Sequence, residues 1–231
     1  MTPLLGGNSL THLDVYHQHA DPLGHHGGCA HIHAICHEVY YVLSGSGRAE
    51  FHDPGRGYSS EPLKPGTVLQ FEPGILHKLF SNGDLVILAM LGNAGLAEAG
   101  DARIWFGPEV DAEPEAYRQH ATLPADAKLE DALARRDASS VAYAKLCETY
   151  TKDRDAWHSQ LLAYRNRHLQ NIAQRRSKLE PIIDGAHVAW GRDGQQRLST
   201  LPDIPDAEAV KKYSLPQKTR LGMCGLLRCL P

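Results

Sequence analysis

Four side chains in the first part of the chain have the types and spacing to share one metal ion: His31, His33, Glu38 and His77. On an extended strand, residues two apart point the same way, so His31 and His33 present both imidazoles to one side. Glu38 follows at an odd offset and cannot share that face on one straight strand. A turn over residues 34–37 would let the next strand bring it back to the same point. His77 opens a strand just after the turn Glu72-Pro73-Gly74. Three neutral imidazoles and a carboxylate suit Fe(II), Mn(II), Ni(II), Cu(II) or Zn(II). If the ion is six-coordinate, two positions stay open for substrate, dioxygen or water, which is the physical reason to expect catalysis.

Two further residues are candidate catalytic groups. Strand parity turns Tyr40 to the same face as Glu38, either to hydrogen-bond a substrate or as a plain wall residue. Glu72 falls near the same turn as His77, as a partner or general base, or as a solvated turn carboxylate. His25 and His26 lie in a Gly-rich lead-in and read as surface histidines rather than as a second site. Cys224 and Cys229 stand four residues apart with no His nearby, a poor pattern for zinc. Histidine is the unusual residue overall: the chain has 14, crowded between His12 and His37, which marks that stretch for metal chemistry.

The elements that must position these groups are short strands. Apolar or β-branched runs at 10–16, 30–35, 38–43, 48–52, 67–71, 77–80 and 85–90 are separated by turns rich in Gly, Pro, Asn and Asp. That pattern predicts a sandwich or barrel over residues 1–95. Residues 96–125 form a connecting segment, in which Trp105 and Phe106 are expected to pack later elements onto the barrel. Residues 126–180 predict helices: no Pro or Gly occurs between 126 and 178. Trp157, Leu161, Tyr164, His168 and Ile172 fall at helical spacing. The basic residues Arg165, Arg167, Arg175, Arg176 and Lys178 read as a solvated face. Residues 181–231 read as an irregular tail, with a possible hairpin over 188–198 turning at Asp193-Gly194.

The two ligand segments resemble the paired motifs of the cupin superfamily. The first is a glycine, five residues, His-x-His, three or four residues, Glu, six residues and Gly. His31, His33, Glu38 and Gly45 hold its spacing, while His25 stands where the leading glycine is expected. In the second motif Gly66, Gly74 and His77 match, Glu72 stands where proline is expected, and Ser81 where asparagine is expected. The resemblance covers roughly residues 10–92. It implies a mainly β fold: a single cupin-type antiparallel β-barrel, jelly-roll-like, here followed by an α-helical C-terminal extension. It also implies a homodimer. The expected activity is that of a metal-dependent enzyme acting on a small organic molecule, foremost an Fe(II) dioxygenase. A sugar-like isomerase or epimerase using the ion as a Lewis acid, or a non-catalytic binding module, are the alternatives, because one fold hosts many chemistries.

Composition narrows the partners. The net charge of −3 gives no basic field for nucleic acid or an anionic membrane. The longest apolar run, Leu85–Leu91, is too short to span a bilayer, and no secretory signal is visible. Five cysteines without a disulfide-like framework suggest a reducing, cytoplasmic setting.

Overall fold

The computed structural model describes residues 5–201 and 212–230. Strands dominate as far as residue 104: β1 (Ser9–Val15), β2 (His26–Gly27), β3 (His31–His33), β4 (Glu38–Ser44), β5 (Gly47–Asp53), β6 (Gly57–Leu63), β7 (Val68–Phe71), β8 (Leu76–Ser81), β9 (Val86–Leu91) and β10 (Ala102–Ile104). Two more follow near the end, β11 (Arg220–Leu221) and β12 (Gly225–Cys229). They form two antiparallel sheets. One runs β11-β12-β1-β9-β4-β7, the other β10-β3-β8-β5-β6 with β2 beside β8. The seven runs expected from the sequence are all strands, with ends moved by no more than two residues. β6 was not expected because Gly57-Tyr-Ser-Ser-Glu-Pro-Leu63 has no apolar alternation. It is an edge strand, where the N–H that Pro62 lacks is not needed.

Alternating residues of both sheets fill the barrel. Leu13, Val15, Tyr40, Val42, Phe51 and Ile87 belong to one buried cluster. Each full burial of such a side chain contributes about 1.5–3 kcal/mol. Gly45 ends β4 at φ +75°, and a Cβ there would lie 2.0 Å from the Asp84 carbonyl oxygen. Only glycine fits that close crossing.

The second sheet is covered on its outer face as well, so all residues of β3 and β8 are buried. The cover is α3 (Leu129–Lys152) and α4 (Arg154–Gln174). Asp153 separates these two helices and caps the second, its carboxylate accepting the Ala156 N–H at 2.9 Å;. Trp157, Leu161 and Tyr164 pack on Ile32, Leu76 and Phe80, and Trp105 joins them. The Trp105 indole donates to the Ala142 carbonyl at 3.2 Å. Phe106 packs instead on Tyr117 of α2 (Pro114–Ala121), which follows α1 (Pro108–Ala112). No described helix is long and apolar enough to cross a membrane.

The last fifty residues differ from the sequence expectation. Residues 188–198 are not a hairpin: they enter α6 (Ala189–Ser199), reached through α5 (Arg176–Ile183) and a wider π-type turn at Asp184–Val188. An Asp-Gly pair makes a hairpin only between alternating flanks, and Gln195-Gln196-Arg197 offers none. Arg197 donates instead to Asp193, one helical turn away, at 2.8 Å;. Nor is the tail irregular throughout. β11 and β12 form a hairpin, and β12 pairs with β1 from Thr11↔Cys229 to Val15↔Gly225. The barrel therefore extends past residue 95, taking β10, β11 and β12 from regions too short in pattern to announce themselves. Part of the tail, residues 202–211, lies outside the described residues.

Candidate metal centre

The β3–β4 turn and the β8 start bring the four expected ligands together. His31 and His77 are register partners across β3 and β8. Glu38, the first residue of β4, comes from the facing sheet. One candidate donor atom from each of His31, His33, Glu38 and His77 lies within 4.8 Å of all the others. His77 Nε2 is 3.1 Å from His31 Nε2 and 3.3 Å from Glu38 Oε2, which is 3.7 Å from His33 Nε2. Neighbouring donors around an octahedral ion with bonds of roughly 2.1 Å stand about 3.0 Å apart. All four residues are buried, with at most 5% of each exposed.

The far nitrogen of each ring decides the chemistry of the near one. His31 Nδ1 is 3.1 Å from the Cys29 carbonyl, and His77 Nδ1 is 3.1 Å from the Ile75 carbonyl. His33 Nδ1 is 3.1 Å from Asp101 Oδ2. Carbonyl and carboxylate oxygens only accept, so each ring proton sits on Nδ1 and each Nε2 of the neutral ring is a bare lone pair. Two such lone pairs face each other across the 3.1 Å between His31 and His77. Glu38 Oε2, also buried, has no hydrogen-bond donor among the described residues. A cation among these acceptors would satisfy them all, so the donor set fits a divalent ion.

Asp101 is the functional residue that sequence reasoning missed. Fully buried, it orients His33 and also holds the turn that returns Glu38 to the site. Oδ1 accepts the N–H groups of Ala34 (3.1 Å) and Ile35 (2.7 Å), and Oδ2 accepts that of Cys36 (3.1 Å). Burial opposes its ionisation, but these bonds and that from His33 outweigh burial and hold its pKa at about 2. His33 is raised in turn: burial lowers it, and Asp101 and Glu38 more than compensate. His31 is driven well below the usual imidazole value by burial first, then by His77 and His33. Helix α4 reaches the same residue, as His168 Nε2 lies 2.6 Å from the Asp101 carbonyl. The helical layer thus touches the ligand support directly.

The other expected residues divide. Tyr40 faces the interior, fully buried, and its hydroxyl has no hydrogen-bond partner among the described residues. Burial, then the Glu38 charge, push it well above the ordinary phenol value. Glu72 does not join the site. Phe71 is the inward residue, paired with Glu38, so alternation sends Glu72 outward, where it is exposed on an outer cavity with Arg56 and Arg165. His25 and His26 are absent from the four-residue group. Cys224 is nearby, its Sγ 4.0 Å from His31 Nε2, and all five cysteines are free.

A cavity of about 110 Å³ opens beside the centre. His31, His33 and Glu38 line it, with Leu13, Ala89 and Leu91 on one wall and Met223, Cys224, Leu227 and Cys229 of the C-terminal segment on another. Glu98, an exposed carboxylate, completes the lining. Its only sequence signal was a charge in a Gly/Ala-rich connection.

Residues 29–113 match the family model described as Cupin, and the two-sheet barrel that carries the site is consistent with that fold. No protein of curated function matches the chain. Among solved structures, a nucleoside dehydratase from Streptomyces is similar at 14% identity, over 44% of this chain and 71% of that chain, with TM-score 0.34. A variant of the Bacillus subtilis oxalate decarboxylase is similar at 16% identity, over 41% of this chain and 25% of that one, with TM-score 0.34. The coconut allergen cocosin is similar at 15% identity, over 49% and 28%, with TM-score 0.36. All three likenesses are remote.

Proposed function

We propose that the protein is a metal-dependent enzyme acting on a small organic molecule, with Fe(II)-dependent dioxygenation as its reaction. The observation that carries this reading is the set of three Nε2 lone pairs and one undonated carboxylate oxygen converging beside a cavity. His31, His33, Glu38 and His77 would hold the ion. When bound, it supplies a Lewis acid and, as iron, the electrons that dioxygen chemistry needs.

The chain's own residues do the rest. The apolar wall of Leu13, Ala89, Leu91 and Leu227 excludes water from bound substrate. Tyr40, kept protonated by burial, offers a hydroxyl proton beside Glu38. Glu98 takes the acid–base role first expected of Glu72, because it lines the cavity and Glu72 does not. The cavity is small, about 110 Å³, so the enclosed part of a substrate is compact.

Protein loaded with Fe(II) without oxygen and then given air with a panel of small metabolites is expected to show substrate-dependent oxygen uptake. Absence of uptake, with tight binding of one of those molecules, would leave a binding module. Glu98 beside the centre favours a second reading, proton transfer next to a carbonyl polarised by the ion. Turnover with Zn(II) in the absence of oxygen would select it.

The proposal includes a homodimer paired through the free edge of β7. Its support is the exposure of Tyr41, Leu43 and Val68 on β4 and β7, with Tyr41 and Val68 in direct register. Light scattering on Val68→Asp beside the unaltered protein tests it.

A further inference from the structure

Parity along β10 separates two kinds of site. Ala102 and Ile104 pair with His33 and His31, while Arg103 pairs with Ile32. Arg103 therefore points away from the metal centre, towards the helices. It forms part of a cleft of about 600 Å³ between α2 and the C-terminal half of α4, within the range of small-molecule sites. Arg118, Arg167 and Arg175 line the same cleft, and Asp111 is the only carboxylate among the lining residues.

The cleft has the features of a built site. Arg103 is 6% exposed, and its guanidinium stacks 3.5 Å over the Tyr117 ring. Its NH2 group donates to the Asp111 carbonyl at 3.3 Å and makes a long ion pair, 3.4 Å, to Asp111 Oδ1, while Arg103 Nε has no hydrogen-bond partner among the described residues. A buried guanidinium with unused donors is unfavourable unless something else accepts from it. Asp111 compensates poorly: burial pushes it up to about 7, and Arg103, the Phe106 N–H and the more distant Arg167 charge only partly offset that. Arg167, Asn171 and Arg175 recur every four residues, a stripe of roughly 12 Å along one helix face. Arg175 NH1 lies over Gly100, 2.5 Å from where a Cβ would stand. Among the described residues neither Arg167 nor Arg175 has an ion pair, whereas Arg118 is paired with Glu115.

We infer that this cleft binds a small phosphorylated molecule, with Arg103, Arg167 and Arg175 as the anion-holding residues. Planar guanidinium groups suit the bidentate geometry of phosphoryl oxygens. The arginines first read as a solvated face are thereby divided. Arg167 and Arg175 turn to the cleft, and Arg165 lines a different cavity.

Calorimetry with pyrophosphate and the full chain tests this at physiological salt. The expected result is saturable one-to-one binding that weakens about tenfold or more in Arg167→Gln/Arg175→Gln. It should persist in Arg176→Gln and in His77→Ala. No saturable binding to the unaltered chain overturns the inference. So does equal weakening in Arg176→Gln, which marks diffuse charge, or loss in His77→Ala alone, which puts the anion at the metal centre. Tighter binding of a short oligonucleotide through the same arginines would make the cleft a nucleic-acid surface and overturn it too.

Discussion

His77 and His52 sit on neighbouring strands of one sheet and are almost equally inaccessible, at 1% and 0% exposure, yet they are prepared for opposite tasks. Register pairs His77 with Phe51 and His52 with Leu76, so His77 faces the barrel and His52 the helices. His77 donates a hydrogen bond from its Nδ1–H to the Ile75 carbonyl and leaves Nε2 bare among other acceptors. His52 Nδ1 instead accepts the Trp157 indole N–H at 3.0 Å, so its proton lies on Nε2, towards Cys147 Sγ at 3.6 Å. Rings of Tyr58, Tyr143, Tyr150 and Trp157 surround it. Burial alone therefore does not distinguish a ligand histidine from a packing one. The partner of the second nitrogen does.

That contrast is breakable, most severely at the ligands. His77→Ala should take bound metal from about one ion per chain to nearly none, measured by elemental analysis of protein purified without a histidine tag, while His52→Phe keeps its metal. Equal metal in both variants would erase the distinction.

Asp101→Asn is expected to keep the fold but loosen the His33 tautomer, weakening metal binding about 10–100-fold in a chelator competition. An unchanged affinity would mean that the carboxylate serves only the turn.

The helix side answers to pH. Burial lowers the His52 pKa from 6.5 to about 4, so the unfolded chain takes up the proton first on acidification. Stability is unaffected above pH 6.5 and falls between pH 6.5 and 4, by about 3 kcal/mol at most. Urea midpoints should show this loss in the unaltered protein and a shallower slope in His52→Phe. Parallel slopes would remove His52 as the cause.

Smallest in stability, and sharpest for chemistry, is a pair of conservative changes. Glu72→Gln and Glu98→Gln, both at exposed positions, should each shift stability by less than about 0.5 kcal/mol. Only the second should reduce turnover.

Strand parity and one turn made His31, His33 and Glu38 legible as a candidate ligand group. His77 was joined to them by the spacing of the second motif rather than by a local rule. Glu72 shows strand parity misapplied: with Phe71 inward opposite Glu38, its neighbour had to face out. Asp101 obeyed no local rule. Its value comes from three backbone N–H groups some 65 residues earlier in the chain, and Ala-Gly-Asp-Ala reads as ordinary loop. β12 had a faint signal, a Gly followed by Leu-Leu-Arg-Cys, but its partner strand is near the other end of the sequence. The basic residues of this region were visible in the sequence, yet dividing them between solvent and the cleft needed α2 and β10 to be placed.

The hydrogen bond from the Tyr16 hydroxyl to the Gly222 carbonyl joins groups 206 residues apart, and this gives the barrel a history. A growing polypeptide has all four candidate ligands by residue 77. It cannot cover them on the Cys224 side until the ribosome has released β12. Throughout that interval β1 carries an unsatisfied margin of backbone amides, the kind that recruits strands from other molecules. A chain stopped before residue 220 would retain all four candidate metal-holding side chains, and it should precipitate rather than function.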